Sequence, residues 1–247
     1  MAAPMPKIGC ALFFAFLLSP TWAGCSLVPN AAAIPTREEI GRSCDGRPIE
    51  AVTMGNGVEV VLVLASIHGS EPAGTPLVER LFEHLTAHPE LLDGRTLISV
   101  PIVNPDGYAK RQRLNSNGVD LNRNFPAKNR QERRRHGVSG LSEPESRALA
   151  ELLARHPPAR IVSIHQPVAC VDWDGPARAI AAAMADACPL PLRRLGSMPG
   201  SLGSYAGIDL GIPIVTFELR PGDEAMDATE LWGDYGPAIL AFLAFAK

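Results

Sequence analysis

"VEVVLVLAS" (58–66), "IHGSEPAG" (67–74) and "TPLVERLFEHLTAH" (75–88) follow one another without a gap. The first segment is rich in β-branched residues and almost continuously apolar, the pattern of a strand covered on both faces. The last carries apolar residues at helical spacing. Between them lies a glycine-containing turn that holds His68 and Glu71, three positions apart. A buried strand, a turn bearing two metal-capable side chains and a helix together predict an α/β fold with its chemistry beyond the strand ends.

The same alternation extends outward. "RTLISVPIV" (95–103) reads as a second buried strand, and "SEPESRALAELLARH" (142–156) as a helix opening on a capping box of Ser142 and Glu145. "ARIVSIH" (159–165) is a third strand, "ARAIAAAMADA" (177–187) a third helix and "IPIVTFEL" (212–219) a last strand. The alanine-rich helix is too short and interrupted to cross a bilayer. There is no internal repeat and no low-complexity linker.

Composition limits the function. The 247 residues are 46% hydrophobic and 20% charged, ordinary globular usage, and a chain of this size buries roughly 70% of its unfolded surface without disulfide staples. A net charge of -3 argues against an electrostatically driven nucleic-acid binder, which needs a surplus of Lys and Arg on one face.

Residues 1–24 read as a secretory signal: Lys7, the apolar "IGCALFFAFLL" (8–18) and the small-residue "SPTWAGC" (19–25). Cleavage after Ala23 would release a secreted protein. Cleavage before Cys25, in a setting that resembles a bacterial lipoprotein signal, would place a lipid anchor on Cys25. A buried apolar N-terminal helix is the alternative. Export to a bacterial envelope, as a periplasmic or membrane-anchored protein, is the expectation, with a short linker over 25–40 and a catalytic domain over 41–247. Of the cysteines at 10, 25, 44, 170 and 188, export would permit one disulfide among the last three, and Cys170 with Cys188 is the expected pair.

His68 and Glu71 sit on the turn after one strand, and His165 ends another. Two histidines and a carboxylate are the ligand set of a catalytic zinc that keeps a fourth position open. An HxxE pair alone also occurs in ordinary capped turns. The wider pattern is more specific. "HGSE" (68–71), "NPDG" (104–107), "GVDLNRNFP" (118–126), the strand-terminal His165 and "TFEL" (216–219) resemble, in order and approximate spacing, the zinc metallocarboxypeptidase family. The resemblance runs from "GRSCDGRPI" (41–49) to about residue 222. "SIHQPVACVDWDGPA" (163–177) and "PGSLGSYAG" (199–207) look like its murein peptide amidase branch.

That resemblance implies a mixed, mostly parallel eight-stranded sheet flanked by helices, of phosphorylase/hydrolase-like architecture. It implies one Zn2+ per chain on His68, Glu71 and His165, and Glu218 as the proton-transferring carboxylate. Asn122 and Arg123 match the pair that grips a substrate's terminal carboxylate, a task suited to the planar guanidinium fork. Arg113 matches the arginine that stabilises a developing oxyanion, with Arg111 its close competitor. The implied substrate is a cell-wall-derived peptide, cleaved between γ-D-Glu and diaminopimelate. A general carboxypeptidase and a deacylase of the succinylglutamate or aspartate type are the alternatives, and a metal-free wall-peptide binding module is disfavoured because every ligand and Glu218 are present.

Some features depart from the pattern or fall outside it. The pancreatic-type enzymes carry a mobile tyrosine on the segment before the catalytic strand, whereas "LGSMPGSLGS" (195–204) has none, and Tyr205 does not fall on that position. Known murein peptide amidases of this type act in the cytoplasm, which conflicts with export. The basic run "NRQERRRHG" (129–137) reads as a solvated loop, or else as a rim that attracts acidic peptides. His84 and His88 read as a partly exposed helix face. The sequence leaves the oligomeric state open.

Overall fold

The computed structural model describes residues 1, 2, 4 and 34–246. The signal-peptide reading, Cys10 and Cys25 lie outside the described residues. Seven strands form one sheet in the order β1-β2-β4-β3-β5-β7-β6. They are β1 (Thr36–Arg42), β2 (Pro48–Gly55), β3 (Glu59–Leu64), β4 (Arg95–Val100), β5 (Arg160–His165), β6 (Cys170–Asp174) and β7 (Ile214–Glu218). The central four, β4-β3-β5-β7, are parallel, and the flanking β1-β2, β2-β4 and β6-β7 pairs are antiparallel. The expected mixed sheet is therefore present with seven strands among the described residues, not eight. β1 begins at Thr36, within the segment read as linker.

Five helices flank the sheet: α1 (Gly74–Ala87), α2 (Pro105–Lys110), α3 (Pro144–Arg155), α4 (Arg178–Asp186) and α5 (Ala228–Ala244). None is long and apolar enough to cross a membrane, among the described residues. Because side chains alternate across a strand, the apolar runs feed two cores. Val61, Val63, Val162, Ile164, Val171, Val215 and Phe217 pack with α1, α4 and α5 on one face. Leu62, Leu64, Ile98, Val100 and Ile161 pack with α3 on the other. Toward the β5-β7-β6 end this second face turns polar, because Ser163, His165, Thr216, Glu218, Asp172 and Asp174 hold the positions alternate to the first core.

Two sequence expectations are corrected. The capping box does not form: Glu143 is the N-cap of α3, with no side-chain cap, and Pro144 opens the helix. Glu145 instead turns into the protein, where its carboxylate accepts from the Cys44 N–H at 3.2 Å and from Asn115 Nδ2 at 3.2 Å. Nor do Cys170 and Cys188 bridge; both are free thiols, as is Cys44. Cys188 packs against the helix-covered core next to α4, while Cys170, one residue before Val171 on β6, faces the opposite side of the sheet.

Candidate active site

At the end of β3 the chain makes an unusual turn. Ser66 takes φ 49°, a left-handed conformation that costs a non-glycine residue energy and is held by its surroundings; its hydroxyl lies 2.9 Å from Thr75 Oγ1. Gly69 then passes so close to α2 that a Cβ there would fall 1.9 Å from the Gly107 carbonyl carbon. This tight passage carries His68 and Glu71 over the C-terminal end of the sheet. His165, the last residue of β5, lies in register with Glu218 at the end of β7, so parallel pairing alone makes these two neighbours.

His68, Glu71 and His165 converge. Their ligand atoms lie within 4.8 Å of one another, and all three residues are buried. Glu71 Oε1 is 2.9 Å from His68 Nδ1, and Glu71 Oε2 is 3.0 Å from His165 Nδ1. The far ring nitrogens are already engaged. His68 Nε2 donates to Asp120 Oδ1 at 3.0 Å, and His165 Nε2 shares a hydrogen bond with Ser163 Oγ at 3.0 Å. Such outer partners fix the tautomer and turn the Nδ1 lone pairs inward. His68 Nδ1 is fully buried and, for all its closeness to Glu71, makes no well-aligned hydrogen bond. A buried acceptor left unpaired is costly, and here a divalent ion bound by all three residues would satisfy it; two imidazoles and a carboxylate suit zinc.

The electrostatics agree. Burial opposes the charge on Glu71, but its contacts with His165 and His68 hold its pKa well below the usual carboxylate range. Asp120 is held low in the same way, against burial, by its hydrogen bond from His68 and the nearby charges of His68, Arg113 and Arg123. Burial disfavours the His68 cation, yet the attraction of Asp120 and Glu71 outweighs it and raises the pKa. The cluster is a place where positive charge is held by carboxylates.

All seven residues singled out from the sequence, His68, Glu71, Arg113, Asn122, Arg123, His165 and Glu218, line one cavity. Arg113 Nη1 donates to Glu71 Oε1 at 2.8 Å and its Nε to Asp120 Oδ2 at 3.2 Å. Arg111 points elsewhere: it takes the left-handed position that ends α2 and stacks on Tyr108, so of the two arginines Arg113 is the one that lines the cavity. Asn122 is fixed by accepting from Leu202 N–H at 2.9 Å. Arg123 is half-buried, with its pKa lowered by burial against the pull of Asp120, and forms no ion pair among the described residues; its planar donors are suited to bidentate pairing with a carboxylate. Glu218 Oε2 accepts from the Val168 N–H at 3.3 Å.

Sequence reasoning missed several residues. Asp120 lies inside the "GVDLNRNFP" motif without having been assigned a role, although a carboxylate hydrogen-bonded to a candidate metal-ligating histidine is the usual outer partner. Ser163 shares a face of β5 with His165, two residues on, a signal that strand periodicity could have supplied. Asp172 and Asp174, both buried, line the same cavity. Gly203 makes room for one of them, since a Cβ there would lie 2.1 Å from Asp174 Oδ2. Tyr205 stacks on Phe125, with ring centroids 5.9 Å apart, and is not among the cavity-lining residues.

A mixed sheet whose strand ends gather two histidines, two glutamates and two arginines in one cavity defines a metallopeptidase-type hydrolase. The zinc carboxypeptidase family profile matches residues 29–175, and this chain belongs to that family. It is 35% identical over 218 residues to murein peptide amidase A of Escherichia coli (strain K12), an alignment that covers 78% of this chain and 86% of that protein. Murein peptide amidase A of Vibrio campbellii is 30% identical over 225 residues, covering 79% and 85%. Among solved structures, murein-tripeptide amidase MpaA from Escherichia coli O157 superposes with a TM-score of 0.67 at 31% identity, covering 87% of this chain and 94% of that one. Carboxypeptidase A from Helicoverpa armigera shares the fold, with a TM-score of 0.70 at 20% identity over 87% and 70% of the two chains.

Proposed function

We propose that this protein is a zinc-dependent peptidase that hydrolyses the amide bond next to a free terminal carboxylate, with the γ-D-Glu–diaminopimelate bond of murein peptides as its substrate. The observation that carries this reading is the single cavity that joins the His68–Glu71–His165 cluster, Glu218, the arginine clamp and the Asp172–Asp174 floor. The names of the relatives just described point to the same substrate class.

Zinc, when bound by His68, Glu71 and His165, supplies Lewis-acid polarisation of the scissile carbonyl and acidifies water. Each remaining role falls to a side chain of this protein. Arg123 and Asn122 hold the terminal carboxylate, which fixes the enzyme to a chain end and pre-positions the last amide bond. Glu218, beside His165 in register, takes a proton from the attacking water and returns it to the departing amine. Arg113 donates to the oxygen that gains negative charge as the carbonyl becomes tetrahedral. The carboxylates of Asp172 and Asp174 favour a leaving residue whose side chain carries an ammonium, as a diamino acid does.

Export belongs to the same proposal and rests on the apolar segment 8–18 and the small residues before Cys25. Turnover of L-Ala-γ-D-Glu-meso-diaminopimelate beside a panel of plain dipeptides tests the substrate. Release of diaminopimelate, with slow or absent cleavage of the panel, is the expected result; the reverse preference would make the protein a general carboxypeptidase.

A further inference from the structure

The floor of the cavity is more than acidic. Asp172 and Asp174 sit two residues apart on β6, on one face of the sheet. Asp172 lies opposite Thr216 in the ladder, two positions beyond the Cys170–Glu218 pair. Bridging the two carboxylates is Arg194, whose Nη1 donates to Asp174 Oδ1 at 3.0 Å and to Asp172 Oδ1 at 3.3 Å. The Leu195 N–H and Ser197 Oγ donate to the same two oxygens. The guanidinium stacks on Trp173, 5.3 Å from the ring centroid, and 38% of the Arg194 side chain is exposed. Nη1 alone is shared between both acids; the Nη2 and Nε donors make no hydrogen bond or ion pair among the described residues.

We infer that Arg194, Asp172 and Asp174 form a subsite for a zwitterionic amino-acid head at the far end of the leaving residue's side chain, with Arg194 reading its carboxylate and the two acids its ammonium. The inference rests on the murein reading above and names the residue that separates diaminopimelate from lysine. The dimensions fit. Two residues along a strand span about 6.6 Å, which sets the depth of Asp172 below the level of Glu218. The second stereocentre of diaminopimelate lies four carbon–carbon bonds from the first, about 5 Å when extended, and its ammonium and carboxylate extend further still. Arg194 does not itself line the cavity, but its Nη1 touches two carboxylates that do, so a substrate carboxylate seated on the β6 side would lie next to a guanidinium with donors to spare, the bidentate pairing that arginine suits better than lysine does. A lysine side chain offers only the ammonium and leaves that edge to water.

A counter-ion whose sole purpose is to neutralise Asp172 and Asp174 would behave differently, and kinetics separate the two. The zinc-loaded full chain, its Arg194→Met and its Arg194→Lys variants are assayed on L-Ala-γ-D-Glu-meso-diaminopimelate and on L-Ala-γ-D-Glu-L-Lys. Wild type is expected to favour the first. In Arg194→Met, kcat/KM for the diaminopimelate peptide falls about 10–100-fold, the range for loss of a charge-assisted partner, while that for the lysine peptide rises as the two acids lose their counter-ion. Arg194→Lys keeps the charge without the fork and recovers only part of the preference. Equal losses on both peptides, no change on either, or a wild type without preference would overturn the inference and leave the murein reading in place. A wild type that cleaves neither tripeptide but does cleave plain C-terminal residues overturns both.

Discussion

Replacing Asp120 by Asn tests the metal cluster through a residue that is neither a metal ligand nor a substrate contact. The carboxylate accepts from His68 Nε2 at 3.0 Å, from Arg113 Nε at 3.2 Å and from the Asn122 N–H at 3.0 Å. An asparagine keeps the shape and one acceptor oxygen, so His68 retains a hydrogen bond but loses its charged partner. A hydrogen bond to a charged group contributes about 1.5–3 kcal/mol and a neutral one about 0.5–1.5 kcal/mol, so the exchange costs about 1–1.5 kcal/mol at His68. That is about tenfold in zinc affinity at 1.4 kcal/mol per decade, the low end of what loss of an outer partner costs a metal site. The new amide NH2 also faces Arg113 Nε, donor against donor, which releases the arginine and carries the loss in kcat/KM beyond tenfold. Competition with a chelator of known affinity measures the first effect and steady-state kinetics the second. A folded Asp120→Asn protein whose zinc affinity and kcat/KM both stay within twofold of wild type would refute the reasoning.

Three further outcomes follow from Cys44 and Gly203. Burial, followed by the charges of Glu145 and Glu143, pushes the Cys44 thiol up from its ordinary 9.0 to about 12. At pH 8 the thiolate population, and with it the rate of iodoacetamide alkylation, is then about a thousandfold below that of an ordinary thiol; rapid labelling of Cys44 in the folded protein would contradict this. Because the folded state holds that proton more tightly, stability is intact below pH 9 and declines as pH rises toward 12. Cys44→Ser removes that part of the alkaline decline, as followed by thermal melts across the window. At Gly203, alanine would put a methyl 2.1 Å from Asp174 Oδ2 and force the carboxylate away from Arg194. KM for the diaminopimelate tripeptide should rise several-fold with zinc content unchanged, and an unaltered KM would show that Asp174 does not contact substrate.

The sequence carried the site better than it carried the outline of the sheet. β3, β4, β5 and β7 were legible because strands buried on both faces must be continuously apolar; His165 followed from where its run stops, whereas Glu218 came from the resemblance carried by "TFEL". The edge strands were not. β1 is "TREEIGR", exposed along most of its length, and β6 is "CVDWD", whose alternate acids face a cavity instead of water; neither shows a buried-strand signature. α5 was missed because Gly233, Gly236 and Pro237 interrupt it, although Asp227 and Glu230 form the capping box that α3 lacks. The choice between Arg113 and Arg111 needed the backbone: the left-handed turn at Arg111 sends one arginine outward and its neighbour into the cavity. Asp172 and Asp174 share a face of β6, but no local pattern ties them to Arg194, since only the loop after residue 193 brings that side chain onto them.

The zinc-hydrolase reading is tested most sharply by pairing a metal assay with a single substitution. The purified chain without residues 1–24, and its Glu218→Gln variant, are assayed for bound zinc by atomic spectrometry and for hydrolysis of the diaminopimelate tripeptide. About one zinc per chain is expected in both, with turnover lost by several orders of magnitude in the variant alone. A wild-type protein that binds no zinc under metal-replete conditions, or a Glu218→Gln protein that turns over at the wild-type rate, would contradict that reading.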